Sequence, residues 1–230
     1  MGAFPTVSRD AILPGFGITK LVIAIAIVVV FSLVVYANLA SRRSADERVA
    51  DARTLRQWGI ALNLYLIENE NQLPSVGTTP ITPEQKTAWF NVLPPYISET
   101  PLAELPPGQR PRPGVPSIWI RPGSKPVKIW DTEQFYFNYG MNRALQPVAD
   151  VRSFRIFEIP FPGNVIFLAP TAGYDPSSEQ STVATQKDLK ATVPILFCDG
   201  HVQPVSAAIL RAPESLAAPT SSDAVSWFQQ

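Results

Sequence analysis

The sequence predicts an α+β fold: one long N-terminal helix packed on a small, mostly antiparallel β-sheet with long proline-rich loops. Three observations carry that expectation. No charged residue occurs from Leu21 to Ser41, a run of Val, Ile, Leu and Ala. Charged sequence with a helical apolar period follows it directly. The 24 prolines of the 230-residue chain cluster after Leu73, where each removes a backbone donor and disfavours helix in the preceding residue. The last region therefore reads as short strands and irregular loops.

The apolar run comes first. About twenty apolar residues at 1.5 Å rise span the hydrocarbon core of a bilayer. A chain this short has too little other apolar mass to bury such a segment on every face, so the run reads as a membrane anchor over residues 16–42. Tyr36 lies toward one end, where an aromatic ring suits the interface. Secretory signal peptides have shorter apolar regions, roughly 7–15 residues, followed by a cleavage site. Here charged helical sequence follows instead, which favours retention.

The helix continues through residues 43–73. Ser44 to Glu70 holds no proline and one glycine, Gly59. Val49, Ala52, Leu55, Gly59, Leu62 and Leu66 recur at three- and four-residue steps, the stripe of an amphipathic helix. Arg48, Asp51, Arg53 and Arg56 are expected mostly off that stripe. The polar cluster from Glu68 to Gln72 and then Pro74 end the element.

Residues 74–211 read as the globular domain. Thr82–Val92 is expected as a short helix with Trp89, Phe90 and the following Leu93 on its apolar face. Pro94 to Pro126 contains ten prolines and reads as an extended loop anchored by Ile118, Trp119 and Ile120. Strands are expected at Val127–Trp130, Phe135–Tyr139, Val165–Leu168, Val193–Phe197 and His201–Val205. Asp199-Gly200 is a favoured two-residue hairpin turn, because both central positions tolerate positive φ. The tail, residues 212–230, reads as loose, small and polar over Ala212 to Asp223, with Val225, Trp227 and Phe228 available to dock at its end.

Composition limits the function classes. Lys plus Arg and Asp plus Glu are both 19, and no basic stripe suited to phosphates appears, so nucleic acid is not an expected partner. One cysteine, Cys198, allows no internal disulfide and no multi-cysteine metal site. His201 is the only histidine. Neighbouring residues on a strand point to opposite faces, so Cys198, Asp199 and His201 are not expected to converge, and no catalytic residue is assigned. Asp175, Glu179, Asp188 and Asp199 supply oxygens but no recognised calcium spacing. No metal site and no cofactor are expected. Trp89, Trp119 and Trp130 read as core.

Four segments carry a resemblance. Pro14-Gly15-Phe16-Gly17-Ile18-Thr19-Lys20 before the apolar helix resembles the type IV prepilin signature. Asp51 to Tyr65, followed by Glu68 to Pro74, is similar to the corresponding stretch of bacterial type II secretion pseudopilins. Phe137-Asn-Tyr-Gly-Met-Asn142 and Ile195-Leu-Phe-Cys-Asp-Gly-His-Val202 resemble two further islands of those proteins. The resemblance covers about the first seventy residues and the two islands. It implies a pilin-like fold and a leader, residues 1–15, removed by prepilin peptidase after Gly15. Phe16 would then be the methylated mature N-terminus. It also implies a bacterial inner-membrane location with an extracytoplasmic domain, and a structural, non-enzymatic role. The implied partners are other pseudopilin subunits, prepilin peptidase and inner-membrane lipid.

Lys20 departs from that pattern. The family usually has a glutamate there, thought to neutralise the N-terminal amine of a neighbouring subunit. A lysine would set two positive charges together in a low-dielectric setting. The sequence therefore points to a minor or tip subunit, with a membrane-tethered binding module that does not polymerise as the alternative. The charges flanking the apolar run, Arg9 and Lys20 before it and Arg42, Arg43 and Arg48 after it, mildly favour the opposite orientation by the positive-inside rule.

Overall fold

The computed structural model describes residues 17–78, 81–82, 84–112, 114–124, 135–136, 138–146, 153–171, 175–179, 183, 192–212 and 225–227. The chain divides into two compact units, Met1–Ala45 and Asp46–Gln230. Helix α1 runs from Ile18 to Glu68, so the expected helix is found with ends trimmed by a few residues. Its apolar stretch is long and apolar enough to cross a membrane by length and composition. In the first unit every large apolar side chain from Leu21 to Leu39 is exposed.

In the second unit α1 buries one stripe. Leu55, Trp58, Leu62, Tyr65 and Leu66 face the core, with Gly59 beside them. Val49, expected on that stripe, is exposed. Asp51, expected off it, is 3% exposed. The spacing explains the correction: 51, 55, 58, 62 and 65 lie on one face at three- and four-residue steps. The helix ends as the polar cluster suggested. Glu70 and Asn71 take φ of 53° and 61°, and the Asn71 amide donates to the Leu66 carbonyl at 2.9 Å. That bond closes the last turn in the manner of a left-handed cap, a conformation asparagine tolerates better than most residues.

The helix expected at Thr82–Val92 is shorter. Only α2 (Trp89–Val92) forms, followed by a 3-10 turn at Pro94–Ile97. The backbone just before it is engaged elsewhere. Ser75 donates to the Thr87 carbonyl at 2.9 Å, and Trp89 donates to the Ser75 carbonyl at 2.8 Å. Gln85 bonds Thr78 through both its amide oxygen and its nitrogen. The proline-rich loop carries 3-10 turns at Leu102–Glu104 and Pro107–Gln109. Trp119 and Ile120 anchor it in the core. Trp58, Trp89 and Trp119 form an aromatic cluster with ring centroids 4.9–5.9 Å apart, in the range where such pairs attract.

Among the described residues the sheet has five strands: β1 (Tyr139–Asn142), β2 (Ile166–Pro170), β3 (Ser177–Ser178), β4 (Thr192–Phe197) and β5 (Val202–Ser206). Their order is β3-β1-β2-β4-β5. β1–β2, β2–β4 and β4–β5 pair antiparallel, while β1–β3 pairs parallel, so the sheet is mixed within an α+β layout. The strand expected at Phe135–Tyr139 instead begins at Tyr139, with Phe135 and Tyr136 before it. The strand expected at Val127–Trp130 lies outside the described residues, as do Trp130, Asp188 and Phe228.

Both faces of the sheet are covered. Tyr139, Met141, Leu168, Leu196 and Cys198 pack with α1 and the tryptophans. Ile166, Val193, Ile195 and Phe197 face the other way, toward Leu210 of helix α3 (Ala207–Arg211) and toward Trp227. A register shift between Ile166 and Leu168 puts Phe167 and Leu168 on the α1 side together, as a bulge does. The end of the tail is docked: Ile166 donates to the Ser226 carbonyl at 3.0 Å, and the Asn142 side chain donates to the Trp227 carbonyl at 2.9 Å. Pro194 and Pro204 lie opposite each other. Phe197 and His201 form the hydrogen-bonded pair next to the turn, so alternation makes the two prolines a non-hydrogen-bonded pair. Pro204 then offers no donor on the open edge, which blunts further strand addition.

Candidate functional site

The two features singled out by sequence are the N-terminal anchor and the hairpin at Asp199-Gly200. Gly15 and Phe16 lie outside the described residues, and Lys20 is in α1 without a described side chain. Within the anchor, the side chains of Ser32 and Asn38 return to the helix. Ser32 Oγ donates to the Val28 carbonyl at 2.7 Å and Asn38 Nδ2 to the Val34 carbonyl at 2.9 Å. In hydrocarbon, where water cannot serve, such local bonds reduce the cost of a polar group.

The hairpin turn is present in a different form from the one expected. The Gly200 amide donates to the Phe197 carbonyl and the Phe197 amide donates to the His201 carbonyl, both at 3.0 Å. Of the loop residues, Gly200 alone has positive φ, at +86°. This is a three-residue loop closed by a glycine bulge, so Asp199 does not need the left-handed conformation that a two-residue turn would impose. Asp199 instead holds the turn with its side chain. Its Oδ1 accepts from the His201 amide at 3.1 Å and lies 2.6 Å from His201 Nδ1. The His201 ring stacks on Phe197 with centroids 4.6 Å apart. Asp199 and His201 therefore do converge, against expectation, because they sit on a turn and not on a strand.

Cys198 stays apart from that pair. It is fully buried, with its sulfur toward the Ile166 carbonyl at 3.9 Å. Burial, and then the Asp199 charge, pushes its thiol well above the ordinary value, and a protonated thiol is a poor nucleophile. Among the described residues no group of three or more His, Cys, Asp or Glu side chains comes together to hold a metal.

The hairpin docks on α1. A Cβ placed on Gly59 would stand 2.4 Å from the Gly200 carbonyl oxygen and 3.1 Å from Leu196 Cδ1. A Cβ on Gly200 would meet the Asn63 side-chain amide at 2.4 Å. Gly59 and Gly200 are thus paired requirements: the helix leaves a notch and the turn fills it. One turn along the helix, Asn63 covers the same loop.

A second junction lies nearer the start of the domain. Asp51 Oδ1 accepts from the Tyr139 hydroxyl at 2.6 Å, and its Oδ2 accepts from Arg121 Nε and Nη2, each at 3.1 Å. A buried carboxylate is tolerated when its charge is paired and its lone pairs are used. Burial first, then the Asp51 charge, raises the Tyr139 hydroxyl well above its ordinary value. The Trp58 indole donates to the Ile118 carbonyl at 3.2 Å. Together these bonds tie the proline-rich loop and β1 to α1. Reading Asp51 by its charge concealed this junction, although its place four residues before Leu55 signals the buried face.

No family model, curated protein or solved structure matches the chain.

Proposed function

We propose that the chain is a structural, pseudopilin-like subunit of a type II secretion or type IV pilus-like assembly, processed after Gly15 and held in a bacterial inner membrane with its α+β domain outside the cytoplasm. The observation that carries the reading is the organisation of α1. One helix is apolar on all sides over Leu21–Leu39 and supplies a core stripe over Leu55–Leu66. The prepilin-like residues stand immediately before it, and the Asp199-Gly200 turn is seated on its second part. Lys20, where the family pattern has glutamate, makes this a minor or tip subunit, since an uncompensated cation is costly within an apolar bundle.

The N-terminus of the mature protein tests the reading. Sequencing and intact mass from the native host are expected to give a methylated Phe16. An intact Met1 would remove the main support and leave a tethered binding module, the second reading, which Lys20 favours by disfavouring routine polymerisation. In a host with its own assembly machinery, Lys20→Glu is expected to increase incorporation into filaments. Unchanged incorporation contradicts the charge argument.

A further inference from the structure

We infer that the far end of α1, together with the loop from Arg155 to Gly163, forms a docking surface for a basic, amphipathic segment of another protein. Leu64 and Ile67 lie on adjacent turns of α1 and are exposed, Ile67 by 77%. Both ends of the loop are tied near the last turns of α1. At one end the Ile156 amide donates to the Asn71 carbonyl at 2.8 Å, and Arg155 pairs with Glu70 at 3.2 Å. At the other end, a Cβ on Gly163 would stand 2.8 Å from Asp199 Oδ2, in the turn that covers Asn63. Asn63 and Ile67 are one four-residue step apart on α1, and Asn71 lies just past the helix end, so the loop is tied to the chain on either side of Ile67.

That loop presents two phenylalanines to solvent. Phe157 is 68% exposed and carries the Arg155 guanidinium 5.8 Å from its ring centroid. Phe161 is also exposed and has φ of 51°. A bulky residue in the left-handed region costs on the order of 1–3 kcal/mol, and such strain concentrates where a surface has a use. Contiguous exposed apolar side chains on a small domain mark interaction sites more often than isolated ones do.

Charge selects the occupant. The helix end, the loop and the hairpin tip bring four carboxylates, Glu68, Glu70, Glu158 and Asp199, against one guanidinium, Arg155. An apolar strip with an acidic rim is complementary to apolar side chains flanked by Lys or Arg, and opposes an acidic partner. The surface is defined by the domain alone and does not depend on cleavage at Gly15.

The test uses the full chain in phosphatidylcholine nanodiscs and two labelled probe peptides. One is an amphipathic leucine–lysine helix of about four turns; the other has glutamate for every lysine. Fluorescence anisotropy, corrected for empty nanodiscs, is expected to show at least tenfold tighter binding of the lysine peptide, weakening as salt rises. Ile67→Asn with Phe157→Ser is expected to abolish that preference with an unchanged circular dichroism melt, since both side chains are exposed. Equal binding of the two peptides, or undiminished binding to the double variant, overturns the proposal. So does sedimentation showing a wild-type dimer that the double variant loses, which would make a second copy the occupant.

Discussion

From Leu21 to Leu39, α1 turns large apolar side chains outward on every side; from Asp51 to Leu66 it buries a single stripe and leaves Arg53, Arg56, Gln57 and Asn63 exposed opposite, with Ile60 and Leu64 among them. Both stretches belong to one continuous helix. Helical form is therefore not what separates them. The distribution around the axis is. An all-round apolar surface suits a solvent that is apolar in every direction, whereas a stripe suits a folded domain on one side. The same contrast governs polar groups. Ser32 and Asn38 use the carbonyls of their own helix, while Asp51 reaches across to Arg121 and Tyr139.

Substitutions in the two stretches should separate accordingly, and the widest gap is expected for large side chains. Trp58→Ala removes a fully buried ring from the tryptophan cluster and is expected to cost about 3–5 kcal/mol in urea unfolding of the domain. Phe31→Ala, at a side chain 69% exposed, should leave that unfolding unchanged within about 0.5 kcal/mol. Equal effects would erase the distinction. Asp51→Ala leaves Arg121 unpaired and the Tyr139 hydroxyl without an acceptor. Breaking a buried pair costs about 3–5 kcal/mol, and the partial exposure of Arg121 brings the expected loss nearer the lower end.

Gly59→Ala comes next. The nearest atom to the added methyl is the Gly200 carbonyl oxygen, a backbone atom that cannot swing aside as a side chain can, so a loss of about 1–3 kcal/mol is expected from the forced shift. Gly17→Ala meets nothing within 4 Å and should be neutral in the same melt. The smallest effect is at the helix end. Asn71→Ala places alanine at φ 61° and should cost about 1 kcal/mol, whereas Asn71→Gly should not.

Alkali offers a separate check on the domain's interior. Cys198 and Tyr139 both have ionisations raised well above the ordinary values of 9.0 and 10.0. Above those values the unfolded chain has released protons that the native state still holds, so stability falls as pH rises and is fully present below about pH 8. Cys198→Ala should remove the earlier part of that slope in urea midpoints measured from pH 8 to 11. An unaltered slope contradicts the burial of the thiol as its cause.

Much of this contrast is written in residue spacing. The uncharged run, the stripe through Leu55, Leu62 and Leu66, the helix end and the hairpin glycine each follow from a local rule. Where spacing and residue type disagreed, type misled. Asp51 has the spacing of a core position but the charge of a surface one, and its partners Arg121 and Tyr139 lie 70 and 88 residues away. The pairing of Gly59 with Gly200 is likewise a long-range fact, since a lone helical glycine carries no mark of what approaches it. β3 is two serines in parallel pairing, too short and too polar for any periodicity to reveal. The Thr82–Val92 pattern gave way because Ser75 takes its backbone partners.

Accessibility along α1 tests the central contrast most directly. Nitroxide labels placed singly from residue 22 to 39 and from 49 to 67, in the full chain reconstituted into liposomes, report oxygen and aqueous-nickel collisions. The labels from 22 to 39 are expected to show high oxygen access throughout, with no helical period, while those from 49 to 67 alternate with a period near 3.6 residues. A 3.6-residue period of protection within 22–39 would show that stretch packed against protein, and would contradict its reading as a helix surrounded by lipid.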